Sequence, residues 1–280
     1  VFIDNRQNVF PGIMGAEWTN IILWQKNYDN GLDGNQKIFT NGISPIVKQI
    51  IWETKQVEKP QEIIDLEKIV VSQNKMLFVS EITSSLKPYG LRIDFFDNQE
   101  KYNLPVIQSD KKSNSDFTIF GLENRRQTKK FIPENYPLPK KTVAIKKYKV
   151  FIGKAWGNFS ANYLGGAYSD IIIGEPNEIC TENFLESGCF DRYADAKCHA
   201  KYLLTQFVRA LLYAKKNSQD NSKDKWVSVP VQDFSEDWWN LSIAEINERL
   251  FDKYNVPKNI RDFVNKNIQP KDESNIINLK

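Results

Sequence analysis

Histidine is nearly absent from this sequence. One ring, His199, serves all 280 residues, so any mechanism that needs a histidine base has a single candidate. Cysteine is scarce too: Cys180, Cys189 and Cys198 are odd in number and too few for a disulfide framework, which points to a reducing compartment, the cytoplasm by expectation. No apolar run approaches the ~20 residues a membrane span requires, so no membrane is expected among the partners. The chain opens at Val1 without an initiator methionine or a signal-peptide layout, and it is expected to begin partway through a longer protein. Internal repeats are missing, which excludes solenoids and propellers. What is there, 41% hydrophobic and 26% charged residues in 32.5 kDa, is the composition of a soluble globular protein with room for one large or two ordinary domains.

Charge is unevenly placed. From Lys111 to Lys154 there are twelve basic and three acidic residues, a local +9, against 26 basic and 32 acidic elsewhere. A surface that meets a polyanion has this asymmetry, because each neutralised phosphate releases condensed counterions. The competing reading is a solvated face that serves solubility.

Spacing predicts the elements. Val9-Phe10 and Thr19 to Trp24, around Pro11-Gly12 and Gly15, read as a hairpin. Ser44-Pro45 predicts a helix through Ile46, Val47, Ile50, Ile51 and Val57, and a second helix starts at Pro60. From Leu77 to about Asn158 the short runs LFV, LRIDFF, DFTIF and TVAIKKYKVFI read as sheet, with Val143, Ile145, Tyr148, Val150 and Ile152 facing inward. Between Asp195 and Lys216, apolar residues recur at three and four and predict one amphipathic helix of some five turns. Trp226 to Val231 reads as a short strand, Ser242 to Tyr254 and Pro257 to Ile268 as helices, and Glu273 to Lys280 as a frayed tail.

Catalytic constellations are hard to find. His199 lies beside Cys198 within the long helix and reads as a helix-surface histidine rather than a base for a nucleophile. The three cysteines lack a C-x-x-C pair, and spacings of nine match no zinc knuckle. Neither Gly153 to Gly157 nor Gly165-Gly166 completes a phosphate-binding loop. A metal-dependent nuclease is the sharper alternative: Asp33 ahead of Glu53-x-Lys55 imitates a Mg²⁺-holding acid pair with an assisting lysine. The predicted helix there would splay Glu53 and Lys55 by about 200°. Binding fits better. Lys146 to Tyr168 interleaves lysines with aromatic rings and amides able to meet phosphates, stack on bases and bond an adenine edge.

Several strings now stand in a telling order: KYKVFIGKAWGN (Lys147 to Asn158), EPNEICTENFLESGCF (Glu175 to Phe190), KYLLTQFVRALLYAKKNSQD (Lys201 to Asp220) and WVSVPVQDFSEDWW (Trp226 to Trp239). Together they resemble the C-terminal part of the type II fused restriction-modification enzymes, the adenine-specific DNA methyltransferases. Lys154, Ala155, Gly157, Cys180, Thr181, Glu182, Phe207, Arg209, Pro230, Gln232 and Asp233 match the family pattern, whereas Asn183-Phe184 and Gln206 depart from it. Asn8 to Ile13 followed by Ile21 to Tyr28 is similar to the last hairpin of the methylase domain, with Met14 to Trp18 replacing its doubled glycine. The resemblance makes Trp18 a candidate wall of the flipped-base pocket. The family's [NDS]-P-P-[YF] loop and glycine-rich cofactor loop are missing, so no catalytic residue is assigned and the chain is expected to be inactive alone.

The reading that follows is a mixed α/β (α+β) fold. Residues 1–42 are a methylase hairpin, 43–270 a β-rich target-recognition domain with a long amphipathic helix and C-terminal helices, and 271–280 a tail. The expected partners are double-stranded DNA and the remainder of the methylase polypeptide. No cofactor is expected in this chain; S-adenosylmethionine would belong to the parent. The DNA-contacting candidates are Arg125, Arg126, Lys129, Lys130, Lys146, Lys147, Lys149, Lys154, Trp156 and Asn158. Glu182, Arg209 and Asp233 are read as structural ties between helix and sheet.

Overall fold

The computed structural model describes strands at 2–5, 18–21, 35–38 and 46–49, and then residues 59–75, 77–155, 163–164, 170–216 and 219–277. Two short antiparallel pairs come first: β1 (Phe2–Asn5) with β2 (Trp18–Ile21), and β3 (Asn35–Ile38) with β4 (Ile46–Gln49). Strand β4 overturns the helix expected from Ser44-Pro45. Its β-branched Ile46 and Val47 pair with Ile38 and Lys37, and cross-strand pairing outweighs the capping signal. Val9 and Phe10 lie outside the described residues.

The rest is a mixed α+β assembly in three layers. Its middle is a four-stranded sheet in the order β10 (Phe184–Phe190), β7 (Tyr148–Gly153), β8 (Ile171–Gly174) and β11 (Ile276–Ile277), antiparallel except for the parallel β8–β11 pair. Val150, Ile152, Ile171 and Ile173 point to one side, into a core shared with the helices α1 (Gln61–Gln73), α3 (Tyr193–Leu204), α4 (Gln206–Lys215), α5 (Ile243–Lys253) and α6 (Lys258–Asn267). Phe151 and Ile172 point to the other side. There they meet a three-stranded sheet, order β6 (Arg126–Ile132), β5 (Phe117–Glu123) and β9 (Glu178–Cys180), and the loops carrying Tyr89, Phe95 and Tyr136. Strand β7 is therefore covered on both faces, and an in-out alternation cannot describe it.

Several expectations change for related reasons. The five-turn helix is two helices, because Thr205 takes an extended conformation (φ −60°, ψ 150°) and its hydroxyl caps α4 by accepting from the Val208 N–H. Its apolar stripe holds: Ala196, Ala200, Leu203, Leu204, Phe207, Val208, Leu211 and Leu212 are all buried. LFV is not a strand but leads into the single-turn helix α2 (Val79–Ile82). LRIDFF forms turns rather than a strand, with Phe95 and Phe96 both buried against the three-stranded sheet. Val143 begins a 3₁₀ turn (Val143–Lys146) and is 80% exposed rather than inward. Trp226 ends another such turn, and only Pro230 of the expected 226–231 strand makes a bridge, to Phe78. The tail is not frayed over 273–277: Asn275 donates to Asp170 at 2.7 Å and Ile276–Ile277 joins the sheet. No described helix is long and apolar enough to cross a membrane.

Candidate nucleic-acid interface

The β5–β6 hairpin is the best-defined bearer of the predicted cations. It pairs without a register shift from Phe117↔Ile132 to Glu123↔Arg126, which leaves Asn124 and Arg125 as a two-residue turn. Both have positive φ, 50° and 64°, the geometry that suits the right-handed twist of a hairpin. Asn124 anchors the tip by donating its N–H to Asp97 Oδ1 at 2.9 Å. Gly121 admits the Phe96 ring, since an added Cβ there would lie 2.8 Å from the ring edge. Arg125, Arg126 and Gln127 are exposed, and neither arginine has a hydrogen-bonding or ionic partner among the described residues. Below them Lys129 and Lys130 are half-buried, and Lys130 pairs with Glu123 at 3.0 Å.

The other predicted lysines do not extend this patch. Lys149 is 0% exposed and is removed from the DNA-contacting set. Its Nζ donates to the carbonyls of Ala144 (2.9 Å), Lys147 (2.8 Å) and Glu175 (2.8 Å), all at the β7–β8 end of the sheet. It points to the same side as Phe151, into the space between the two sheets, where Gly174 leaves room for its stem. Burial lowers its ammonium to about 8, opposed by the nearby Glu186 and Glu178 carboxylates. Glu186 is itself buried, accepts from Tyr89 Oη, and has its carboxyl raised chiefly by desolvation.

Lys146 pairs with Glu134 at 2.6 Å and donates to Asn177, and Lys147 pairs with Asp191, whose carboxylate holds the ammonium above its ordinary value. Lys154 pairs with Glu182 at 2.9 Å, with Lys87 on the other side at 3.9 Å. Glu182 is not a tie between the long helix and the sheet: it joins the end of β7, through Lys154, to the loop carrying Lys87. Arg209 instead donates to the Gln269 carbonyl, and Asp233 accepts from the Ser235 N–H, so these two tie the helical layer to its own loops.

Geometry also splits the basic segment. Lys147 and Lys154 flank the two ends of β7, about 23 Å apart at ~3.3 Å per residue. Lys146 and Lys147 lie at the end where Glu134, Asn177 and Asp191 sit. The hairpin tip, Lys154 and the 181–183 turn lie at the other, because β9 runs parallel to β5 and β10 starts opposite Gly153. The segment's +9 is thus no single face. The tip end gains Lys87 and exposed Arg92, which sequence reading missed because they fall outside the basic run; Glu182 brings them in, through Lys87 Nζ and through its own N–H to the Leu91 carbonyl at 2.8 Å. Trp156 and Asn158 lie outside the described residues, as do Asp33, Glu53 and Lys55. Trp18 is on β2, and its side chain is not among those described.

Catalytic chemistry finds no footing among the described residues. His199 is buried rather than on the helix surface, because α3 turns this face onto β10. Its Nε2 lies 2.9 Å from Ser187 Oγ, a pair of the serine–histidine kind, yet Ser187 is fully buried as well and no substrate can reach it. Desolvation lowers this imidazole to about 3, so it is neutral. The three cysteines are free thiols, and no described group of three or more histidine, cysteine or acidic side chains could hold a metal ion. No protein-family profile matches this chain, and no curated protein matches it.

Proposed function

We propose that this chain is a DNA-binding module that supplies target recognition to an adenine-specific DNA methyltransferase of a restriction-modification system in the cytoplasm. The observation that carries the reading is the β5–β6 hairpin, which reaches past β9 at the edge of the three-stranded sheet as a two-stranded tip whose exposed Arg125 and Arg126 have no partner among the described residues. A two-stranded ribbon fits the major groove of B-form DNA, and arginine suits both phosphate and base edges. The family resemblance supplies the rest. Residues 1–42 close the methylase domain with Trp18 at the flipped base, 43–270 recognise the target, and the remainder of the methylase polypeptide binds S-adenosylmethionine and transfers the methyl group. Exposed Arg92 flanks the tip as a phosphate contact, while Lys154 and Lys87 are held by Glu182, with Trp156 and Asn158 following Lys154 in the chain.

The test is titration of duplex DNA with the full chain over a salt series. Binding weakens with salt, and changing Arg125 and Arg126 to alanine together weakens it at least about tenfold, while S-adenosylmethionine shows no saturable binding tighter than about millimolar. Absence of binding to any duplex at low salt overturns the reading. The metal-dependent nuclease would rest on Asp33, Glu53 and Lys55, which lie outside the described residues, and a Mg²⁺-dependent plasmid-cleavage assay with Glu53→Gln as control decides that reading.

A further inference from the structure

The turn at the tip of the β5–β6 ribbon has the wrong residue for its geometry. Two-residue turns with both φ positive favour Asn-Gly, because glycine accepts the left-handed conformation without steric cost. Asn124 suits the first position, but Arg125 holds the second at φ 64°, where the Cβ of an L-residue crowds the following carbonyl. Nothing in the fold uses the side chain that this strain retains: Arg125 is exposed, with no partner among the described residues. The arm beneath it is held firmly, by the full β5–β6 register, by Phe96 against Gly121, and by the bond from the Asn124 N–H to Asp97. Such anchoring fixes the Arg125 backbone at the tip and aims its side chain outward from one defined point, which direct readout of a base edge uses and diffuse attraction to a phosphate does not need.

Charge around the tip argues the same way. Glu123 neutralises Lys130, and the Asp97 carboxylate sits directly under the turn. Two carboxylates weaken the tip as a phosphate clamp, but they leave intact what a planar fork of donors does, which is to bond two acceptors on one base. The major groove offers that pair on guanine, O6 and N7, and it admits a two-stranded ribbon.

We propose that Arg125 is a specificity-determining residue, carried by the ribbon into the major groove to read a guanine. This inference rests on the DNA-binding reading above and adds to it a residue, a groove and a base. The probe is a library of duplexes with a randomised core, selected by the full chain, by Arg125→Gly and by Arg125→Lys. Glycine relieves the strain without disturbing the turn, whereas lysine keeps the charge and loses the fork.

The parent is expected to enrich a site with guanine at a fixed position. Both variants lose that preference by about tenfold to a hundredfold, keep the preferences at other positions, and leave the salt dependence of the lysine variant unchanged. Arg125→Gly is expected to melt no lower than the parent. Three results overturn the proposal while leaving DNA binding standing: both variants enrich the parental sequence unchanged, the parent binds duplexes without preference, or Arg125→Gly loses every preference together with melting temperature. Failure of the parent to bind any duplex overturns both readings.

Discussion

Around Phe207 the interior is hydrocarbon and aromatic, with Phe207 stacked on Tyr254 at 5.3 Å between ring centroids and edge-on to Phe251. Around Lys149, on the opposite side of the same central sheet, the interior holds an ammonium, a carboxyl group and a phenol. One sheet therefore separates two kinds of core. The helical side is held chiefly by shape and area, with a few paired polar groups such as His199 with Ser187 and Asn247 with the Phe207 N–H, and its free energy depends mostly on filled volume. The side between the sheets also depends on donors and acceptors being matched, since an unpaired buried polar group costs more than the pair contributes. The second side also carries the candidate interface. Its hairpin belongs to the three-stranded sheet that packs against this polar side.

The largest effect expected from breaking this comparison is on the helical side. Phe207→Ala should destabilise by ~3–5 kcal/mol and Leu211→Ala by ~2–5 kcal/mol, read as shifts in the denaturant midpoint, because neither cavity can collapse between two packed helices. A negligible shift in both would show that volume does not govern this core. Lys149→Met comes next. It keeps the stem's volume but strands the carbonyls of Ala144, Lys147 and Glu175, at a cost of ~1–3 kcal/mol. The comparison sharpens if Glu186→Gln costs less in the Lys149→Met background than alone, since opposite charges buried near each other couple. Additive costs would mean that the two groups do not sense each other.

This division also explains what the sequence disclosed. The helical core was legible because its signal is periodic. Ile63, Leu66 and Val70 in α1 and the stripe from Ala196 to Leu212 repeat at helical spacing whether or not the helix breaks at Thr205. The break itself was a local matter, one threonine oxygen reaching the Val208 N–H inside a stripe that continues past it. Lys149 was illegible, because a lysine in an alternating strand reads as outward. Only the three-layer arrangement, with carbonyls converging from a 3₁₀ turn and from β8's end, gives it a place inside. The ribbon could have been found. DFTIFGLE and RQTKKFI are two β-rich runs, and the Asn124-Arg125 between them is a hairpin signal obscured by the absence of glycine.

A further effect follows from pH, and it has opposite signs on the two sides of the sheet. On the helical side His199 keeps its folded value, about 3, below the ~6.5 it has unfolded. The unfolded chain therefore binds a proton that the fold refuses, and the stability due to neutral His199 is complete above pH ~6.5 and lost as pH falls, by up to ~1.4 kcal/mol per pH unit. Glu186 is raised by burial, so its contribution is present at low pH and lost as pH rises through that raised value. Comparing His199→Gln with the parent across the acid range isolates the first slope. An unchanged slope would show that the ring titrates in the fold as it does in water.

The smallest effect expected is on DNA binding by the cations at the far end of β7. Lys146 and Lys147 stand in the most basic run of the sequence, and by sequence alone their replacement lowers the slope of log affinity against log salt by close to one unit per phosphate contact. Their partners change that expectation. Glu134 and Asp191 hold both ammonium groups, and the end they occupy lies about 23 Å along β7 from the ribbon-tip end. A cation that must first give up an intramolecular carboxylate gains little from a phosphate. Changing Lys146 and Lys147 to alanine together should therefore leave the salt slope as it is, whereas Arg126→Ala, at the exposed hairpin tip, should lower it. The measurement is one salt series on one duplex with three proteins. If the lysine pair lowers the slope and Arg126 does not, the interface lies at the opposite end of the strands from the one argued above, and sequence charge density was the better guide to it than the ion pairs.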